Sequence, residues 1–147
     1  MRSIYFFERG MIMGLDNGAY IKSNKRKLTR DMLPNGIVYP FEKDYCGEIE
    51  ILYWRKCWGL RDSTLRLFNH MSDNDYKFDI DTPEQVMEWI EMIASWIDEE
   101  KWENDGESIW SYDEIKPMLI QNIINLSIIY MFMSENPDIY LEFYDSY

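Results

Sequence analysis

The chain has 147 residues, of which 46% are hydrophobic and 16% aromatic, a composition that excludes an intrinsically disordered chain. We therefore expect one compact domain, 1–147, with a single core. The formal net charge is −12, and residues 67–147 hold 19 Asp and Glu against 3 Lys, whereas residues 1–66 are mildly basic. This acidic half argues against direct binding of duplex DNA or of a membrane surface, and it favours a basic protein surface as the partner.

The cysteine content and the hydropathy of the chain indicate the cellular compartment in which the protein is expected. Cys46 and Cys57 are the only cysteines, too few for a disulfide framework. The sequence contains neither a signal-peptide pattern nor a run of 18 apolar residues. We expect a reduced, cytoplasmic protein.

The first thirteen residues contain three methionines. Residues 8–10 can be encoded by a purine-rich, ribosome-binding type of sequence just before Met11. We hypothesise that the native start is Met11 or Met13, so that residues 1–12 are a non-native or peripheral extension. If translated, residues 3–7 are expected to add an edge strand.

Two turns, each followed by a short strand, are predicted in the next part of the chain. Asn17-Gly18 predicts a turn before a short strand at residues 19–22, and Asn35-Gly36 predicts a turn before a strand at residues 37–39. A basic cluster lies between them and is interpreted either as a contact for phosphate or an acidic partner, or as a solvated loop. Its members are Lys22, Lys25, Arg26, Lys27 and Arg30.

Residues 44–72 are predicted to form one helix. On a helical wheel, about half of the circle over residues 51–71 is apolar, and a single charge, Arg61, falls within that arc. A buried guanidinium must be paired, stacked or directed into a pocket. In the structural interpretation Arg61 pairs with a core-facing acid such as Asp16 or Glu142. In the alternative it belongs to a site for an anionic planar ligand such as a nucleotide. The residues of that ligand site would be Arg61, Arg55, Trp54 and Trp58.

A strand at Tyr76–Ile80 is followed by a clear helix start. Thr82 is an N-cap residue, Pro83 suits the first helical position, and Gln85 stands three residues after the cap. The acidic arc of this helix is predicted to extend to Glu99, and Trp102 and Gly106 mark the exit from the helix. Its carboxylates recur about every 4–5 Å over about 22 Å, close to the phosphate spacing of about 3.4 Å along one nucleic-acid strand.

This acidic arc has two interpretations. It is either an ordinary solvated helix face, since acidic surfaces promote solubility, or a nucleic-acid mimic that occupies a basic cleft. In the second case the partner-binding residues would be Glu84, Glu88, Glu91, Asp98, Glu99 and Trp102.

The last third predicts the remaining core elements. A second capping box at Ser111 precedes an apolar helix over residues 115–133, expected to be central, buried and too short to span a membrane. Residues 138–145 then alternate as a strand. We predict the α+β class: three helices packed on a small, mainly antiparallel sheet.

No reaction signature is present. One histidine, His70, and two separated cysteines provide no spaced set of metal ligands, and no glycine-rich phosphate loop occurs. We therefore expect neither a metal nor another cofactor, and a protein that is not an enzyme. The abundance of Tyr and Trp, residue types enriched at interfaces, is compatible with a homodimer.

Several short motifs resemble small uncharacterised proteins of bacteriophages and prophages of Gram-positive bacteria. They are Met13–Gly18 (MGLDNG), Tyr53–Gly59 (YWRKCWG), Ser108–Trp110 and the terminal Phe143–Tyr147 (FYDSY). The resemblance implies no catalytic residues. It implies a context, because small phage accessory proteins are often inhibitors of host defence, such as anti-CRISPR proteins. The expected function is thus inhibition, in the bacterial host cytoplasm, of a nucleic-acid-binding defence complex.

Overall fold

The computed structural model describes residues 15–71 and 76–146. Its elements are β1 Asp16–Ser23, β2 Ile49–Arg55, α1 Trp58–Leu67, β3 Lys77–Ile80, α2 Pro83–Ser95, α3 Glu99–Asp105, α4 Tyr112–Glu135 and β4 Ile139–Ser146. A single 3₁₀ turn, Arg30–Met32, lies in the long connection between β1 and β2. The hypothesis about the start at Met11 or Met13, and the strand expected at residues 3–7, lie outside the described residues.

The described strands form one antiparallel sheet in the order β2-β1-β4-β3. Its central pair joins β1 to β4, in register from Asp16 opposite Ser146 to Ser23 opposite Ile139. One sheet face, which includes Ala19, belongs to the hydrophobic core shared with the helices. This confirms the α+β class and the antiparallel sheet. The described part of the chain contains four α-helices, however, whereas three were predicted.

The largest difference from the prediction is in residues 44–72. The expected single helix is wrong, because the chain forms β2, turns at Lys56 with a φ of 55° and only then begins α1. Residues 49–52 of β2 are all buried, and a bulge interrupts its register opposite Ala19 and Tyr20. A strand buried on both faces loses the alternation that identifies strands. On a helical wheel the apolar residues of β2 therefore fall within one arc, as those of an amphipathic helix do.

The turn predicted at Asn17-Gly18 is also wrong, because both residues lie inside β1. A Cβ atom on Gly18 would lie 2.2 Å from Glu50 Oε2 and 2.7 Å from the Leu52 carbonyl oxygen. Glycine is therefore needed here for the close approach of a neighbouring strand.

The strand predicted at residues 37–39 does not form. This segment instead runs beside α4, where the Asn125 amide accepts from the Val38 N–H at 3.0 Å and donates to the Val38 carbonyl at 2.8 Å. The side chain of one buried asparagine satisfies backbone groups that a strand would have paired.

Both predicted capping boxes are confirmed. The Thr82 hydroxyl accepts from the Gln85 N–H at 3.1 Å, and the Ser111 hydroxyl accepts from the Glu114 N–H at 3.2 Å. In each box the side chain at the third position returns a bond to the N-cap backbone. These starts involve residues three apart, so local sequence suffices to predict them.

The long helix α4 is less buried than predicted. It has 24 residues, and a third of its most apolar 18-residue window is buried. By length and composition alone it is long enough to cross a membrane, which corrects the expectation that it is too short. Its other side lies at the molecular surface, where Ile124 and Met131 are 44% and 61% exposed.

Candidate functional site

The exposed carboxylates of α2, α3 and the turn between them form a surface that we call the acidic helical surface. Its members are Glu84, Glu88, Glu91, Asp98, Glu99, Glu100 and Glu103. The first three share the exposed face of α2, as predicted. Asp98 instead caps α3, because its carboxylate accepts from the Lys101 N–H at 3.0 Å, and Glu99 begins that helix. The predicted stripe along one continuous helix of about 22 Å is therefore wrong, and the acidic residues are divided between two helices.

Two tryptophans lie where α2 and α3 meet. The rings of Trp96 and Trp102 pack edge to face, 5.8 Å between centroids. Trp102 is 3% exposed and its indole N–H donates to the Trp110 carbonyl at 2.9 Å. The prediction that Trp102 contacts a partner directly is therefore wrong. The break itself has a sequence signal that was missed, because an Asp followed by two Glu is a typical helix start.

The acidic helical surface has no internal charge compensation. None of its seven carboxylates forms an ion pair with any described residue. Lys101 is the nearest cation in sequence, and its ammonium lies 4.3 Å from the centre of the Trp96 ring and donates to Ser95 Oγ at 2.7 Å. The seven carboxylates therefore face solvent, and no cation of the described residues pairs with them.

The arrangement on α2 is unfavourable for the helix itself. Glu84 lies in the first turn, where the helix dipole favours a negative charge, but Glu91 lies in the second half of the helix, where it does not. Glu84 and Glu88 are four residues apart and Glu88 and Glu91 are three apart, so like charges are neighbours on one face, at a cost of about 0.2–0.5 kcal/mol per pair. Helix stability alone does not account for this pattern.

Arg61 has an intramolecular partner, as the structural interpretation predicted, but the acid is Asp145 rather than Asp16 or Glu142. Its Nε and Nη2 donate to the Asp145 carboxylate at 3.0 and 2.8 Å, while Nη1 donates to Asp62 at 2.8 Å. Asp145 is 8% exposed and also accepts from Asn17 Nδ2 at 2.7 Å. The pair joins α1 to the central strands of the sheet.

The other residues of the alternative ligand site are engaged in packing. Trp54 is fully buried and its indole N–H donates to Asn122 Oδ1 at 2.8 Å, so the expectation that it contacts a ligand is wrong. Arg55 Nη1 lies 3.3 Å from Asp16 Oδ1, and the Trp58 ring lies 5.6 Å from the Arg61 guanidinium carbon. These residues stabilise one end of the sheet and the start of α1.

A cleft that the sequence did not predict lies at the edge of β2. Its volume is about 350 Å³ and its lining consists of Arg30, Phe41, Lys43, Asp44, Tyr45, Glu48 and Glu50. The Glu50 carboxylate is buried and accepts a short hydrogen bond from Tyr144 Oη. The available signal was a charged residue inside an apolar segment, but the prediction of a helix at residues 44–72 concealed that this segment is a strand.

The basic cluster of the first third is largely neutralised by acids. Lys22 Nζ lies 3.0 Å from Glu142 and 3.2 Å from Glu48. Burial lowers the pKa of Lys22, but the bonds to these two carboxylates outweigh it and raise the pKa above its usual value. Arg26 and Arg30 pair with Asp138 and Asp44. Three of the five cations therefore pair with acids of this chain, which argues against the contact with phosphate or an acidic partner and which the solvated-loop interpretation did not include.

Within residues 15–71 and 76–146 there is no group of three His, Cys, Asp or Glu side chains that could hold a metal ion. The His70 ring stacks on Phe78 at 4.1 Å between centroids. It is therefore a half-buried residue that packs on an aromatic ring.

The two thiols are expected to differ in reactivity. Cys57 is fully buried, and burial raises the pKa of its thiol to about 12, whereas Cys46 is exposed. With Ellman's reagent at pH 8, we expect one thiol to react in the folded protein and the second only after unfolding. Rapid reaction of both thiols in the folded protein would contradict this assignment.

The raised pKa of the Cys57 thiol also makes stability depend on pH. Because this thiol ionises at a lower pH in the unfolded chain than in the folded protein, stability is expected to fall as the pH rises from 9 to about 12.

Comparison with known proteins identifies no relative. No protein-family model, no curated protein and no solved structure matches this chain.

Proposed function

We propose that this protein is a non-enzymatic binding protein that presents the acidic helical surface to a basic, nucleic-acid-binding cleft of a partner. The observation that carries the proposal is the set of exposed carboxylates on α2 and α3 that have no ion-pair partner among the described residues. Residues 83–135 hold twelve Asp and Glu against two Lys. A surface of this kind attracts Lys- and Arg-rich clefts and repels nucleic acid.

The like-charge neighbours on α2 support the same proposal. Their mutual repulsion costs stability in the free protein, and a basic partner would remove that cost on binding. The resemblance to phage proteins adds the context. We propose that the target is a nucleic-acid-binding host defence complex, reached in the cytoplasm of a bacterial host.

We do not propose the nucleotide-binding alternative. Its central residue, Arg61, already donates to Asp145 and Asp62, and Arg55 is paired with Asp16. A phosphate would have to displace a nearly buried carboxylate from Arg61, which costs several kcal/mol.

The proposal is tested by capture from a nuclease-treated extract of a Gram-positive bacterium, followed by competition with duplex DNA. We expect a captured protein that binds nucleic acid, and we expect DNA to displace this protein competitively from it. Affinity should fall at least about tenfold between low and moderate salt, because opposed charges are screened within about 8–10 Å. A captured partner whose binding is indifferent to both salt and DNA would contradict charge mimicry.

A further inference from the structure

The wall of the cleft at the edge of β2 contains a buried carboxylate. Glu50 is 6% exposed and lines the cleft, which has a volume of about 350 Å³. Ile49 belongs to the core shared with the helices, and because successive side chains of a strand point to opposite faces, Glu50 points to the other face of the sheet. The cleft is therefore separate from the acidic helical surface, and its volume is within the usual range for a small-molecule site.

The two central strands hold the Glu50 carboxylate in place. On β1, Gly18 leaves room for it, since a Cβ atom there would lie 2.2 Å from Glu50 Oε2. On β4, the Tyr144 hydroxyl donates a short hydrogen bond to the same oxygen. An ionised carboxylate has about four acceptor positions and can bind several donors at once. The carboxylate is therefore fixed in position and able to accept a hydrogen bond from a ligand.

Two aromatic side chains form the apolar part of the lining. Phe41 and Tyr45 both belong to the connection between β1 and β2. The Phe41 ring packs edge to face against Tyr53, with 5.0 Å between centroids, while Tyr45 is 54% exposed. The face of an aromatic ring attracts a cation and also covers apolar surface. Aromatic rings beside a carboxylate are thus suited to an ammonium group on an apolar body.

Most of the other charges in the lining are paired within the chain. Arg30 Nε donates to Asp44 Oδ1 at 2.8 Å, and Arg30 Nη2 donates to the Phe41 carbonyl at 2.8 Å. Glu48 Oε1 lies 3.2 Å from Lys22 Nζ. Each of these two ion pairs contributes little net charge to the cleft, so neither decides the charge of a ligand.

Lys43 is the other cation of the lining, and it is exposed. Charges in water, with a dielectric constant of about 80, interact about four times more weakly than charges near a protein surface at an effective value of about 20. The buried Glu50 carboxylate therefore acts on a ligand more strongly than Lys43 does. We infer that the cleft binds a small organic cation, with its ammonium group at Glu50 and its apolar body against Phe41 and Tyr45.

Nuclear magnetic resonance titration of the isotope-labelled full chain tests this inference with three probes of similar shape. The probes are 2-phenylethylammonium, 2-phenylethanol and phenylacetate, and physiological salt screens the exposed carboxylates of the acidic helical surface. We expect the cation to bind at least about tenfold more tightly than the alcohol, and the anion to bind most weakly. The cation should shift the amide resonances of residues 41–50.

Glu50→Gln removes the charge and keeps a side-chain oxygen that can accept from Tyr144. It should abolish the preference for the cation over the alcohol. The matched control is Glu42→Gln, because Glu42 is an exposed acid of the same connection that does not line the cleft. It should bind the cation like the natural protein.

Tyr45→Leu provides a second variant that does not depend on the stability of a buried site. Tyr45 is exposed, so its replacement should leave the fold intact, and leucine keeps the apolar contact while removing the aromatic face. We expect the dissociation constant of the cation to rise about threefold and that of the alcohol to change less.

Four results would overturn the inference. They are equal binding of the three probes, strongest binding of the anion, no binding of the cation at its highest soluble concentration, and an unchanged preference for the cation in a folded Glu50→Gln variant. Shifts confined to α2 and α3 would assign the cation to the acidic helical surface and would also overturn it.

Discussion

Replacing Arg61 with methionine is expected to lower the free energy of unfolding by about 3–5 kcal/mol, the cost of breaking a buried ion pair by removing one partner. The guanidinium provides the charged hydrogen bonds that stabilise Asp145, which is 8% exposed. After the substitution this carboxylate keeps the Asn17 amide as a donor but has lost its opposite charge. Urea denaturation followed by tryptophan fluorescence measures the change.

Arg66→Met is the matched control for Arg61→Met. Arg66 lies on the same helix, is exposed and forms no ion pair with a described residue, so its replacement should change stability by less than about 0.5 kcal/mol. Adding Asp145→Asn to Arg61→Met should recover part of the loss, because no uncompensated charge remains. If Arg61→Met is as stable as the natural protein yet abolishes binding of a ligand, the structural role of Arg61 is wrong.

Neutralising α2 is expected to weaken partner binding about 100-fold. In the variant Glu84→Gln/Glu88→Gln/Glu91→Gln, three exposed carboxylates are lost while the side-chain shape is kept. If each contributes about 1 kcal/mol to binding, the sum corresponds to a factor of about 100 in the dissociation constant. Stability should change by less than about 0.5 kcal/mol, because lost repulsion offsets the lost charge near the helix start. Titration calorimetry with the captured partner provides the measurement.

A triple variant with the same change in net charge separates the site from a general charge effect. Asp31→Asn/Glu42→Gln/Asp79→Asn neutralises three exposed acids that lie outside α2 and α3. It should bind nearly as well as the natural protein. Equal weakening by both triple variants would mean that net charge, and not the acidic helical surface, attracts the partner.

The elements that sequence predicted correctly are those specified by near neighbours. The helix starts at Thr82 and Ser111 each depend on a side chain and a backbone N–H three residues apart. The alternation of β4 is equally local, with Ile139, Leu141 and Phe143 buried. In each case the information lies within one turn of helix or one short strand.

The prediction failed where burial came from distant parts of the chain. Residues 49–52 are all buried, because the sheet is covered on both sides at that point, and no pattern within β2 announces this. Because β2 lacks the alternation of buried and exposed residues, the prediction placed a helix at residues 44–72. Trp102 was misplaced for a related reason, because its environment is set by the packing of α3 against Trp96 and Trp110.

The candidate site was predictable in composition and only partly in geometry. The acidity of residues 67–147 follows from residue type. The helical period predicts the exposure of Glu84, Glu88 and Glu91. Asp98 and Glu99 belong to a separate helix, α3. The helical period of α2 does not predict this, because Asp98 caps α3 instead of continuing α2.

Sequence by itself therefore determined the two helix starts, the alternating last strand and the excess of negative charge on one half of the chain, since each is a property of neighbouring residues or of composition. Tertiary structure alone decided the identity of β2 and the partner of Arg61. Asp145 lies 84 residues further along the chain, and it meets Arg61 because β1 and β4 pair at the centre of the sheet. Such a contact depends on strand order, which no local pattern encodes.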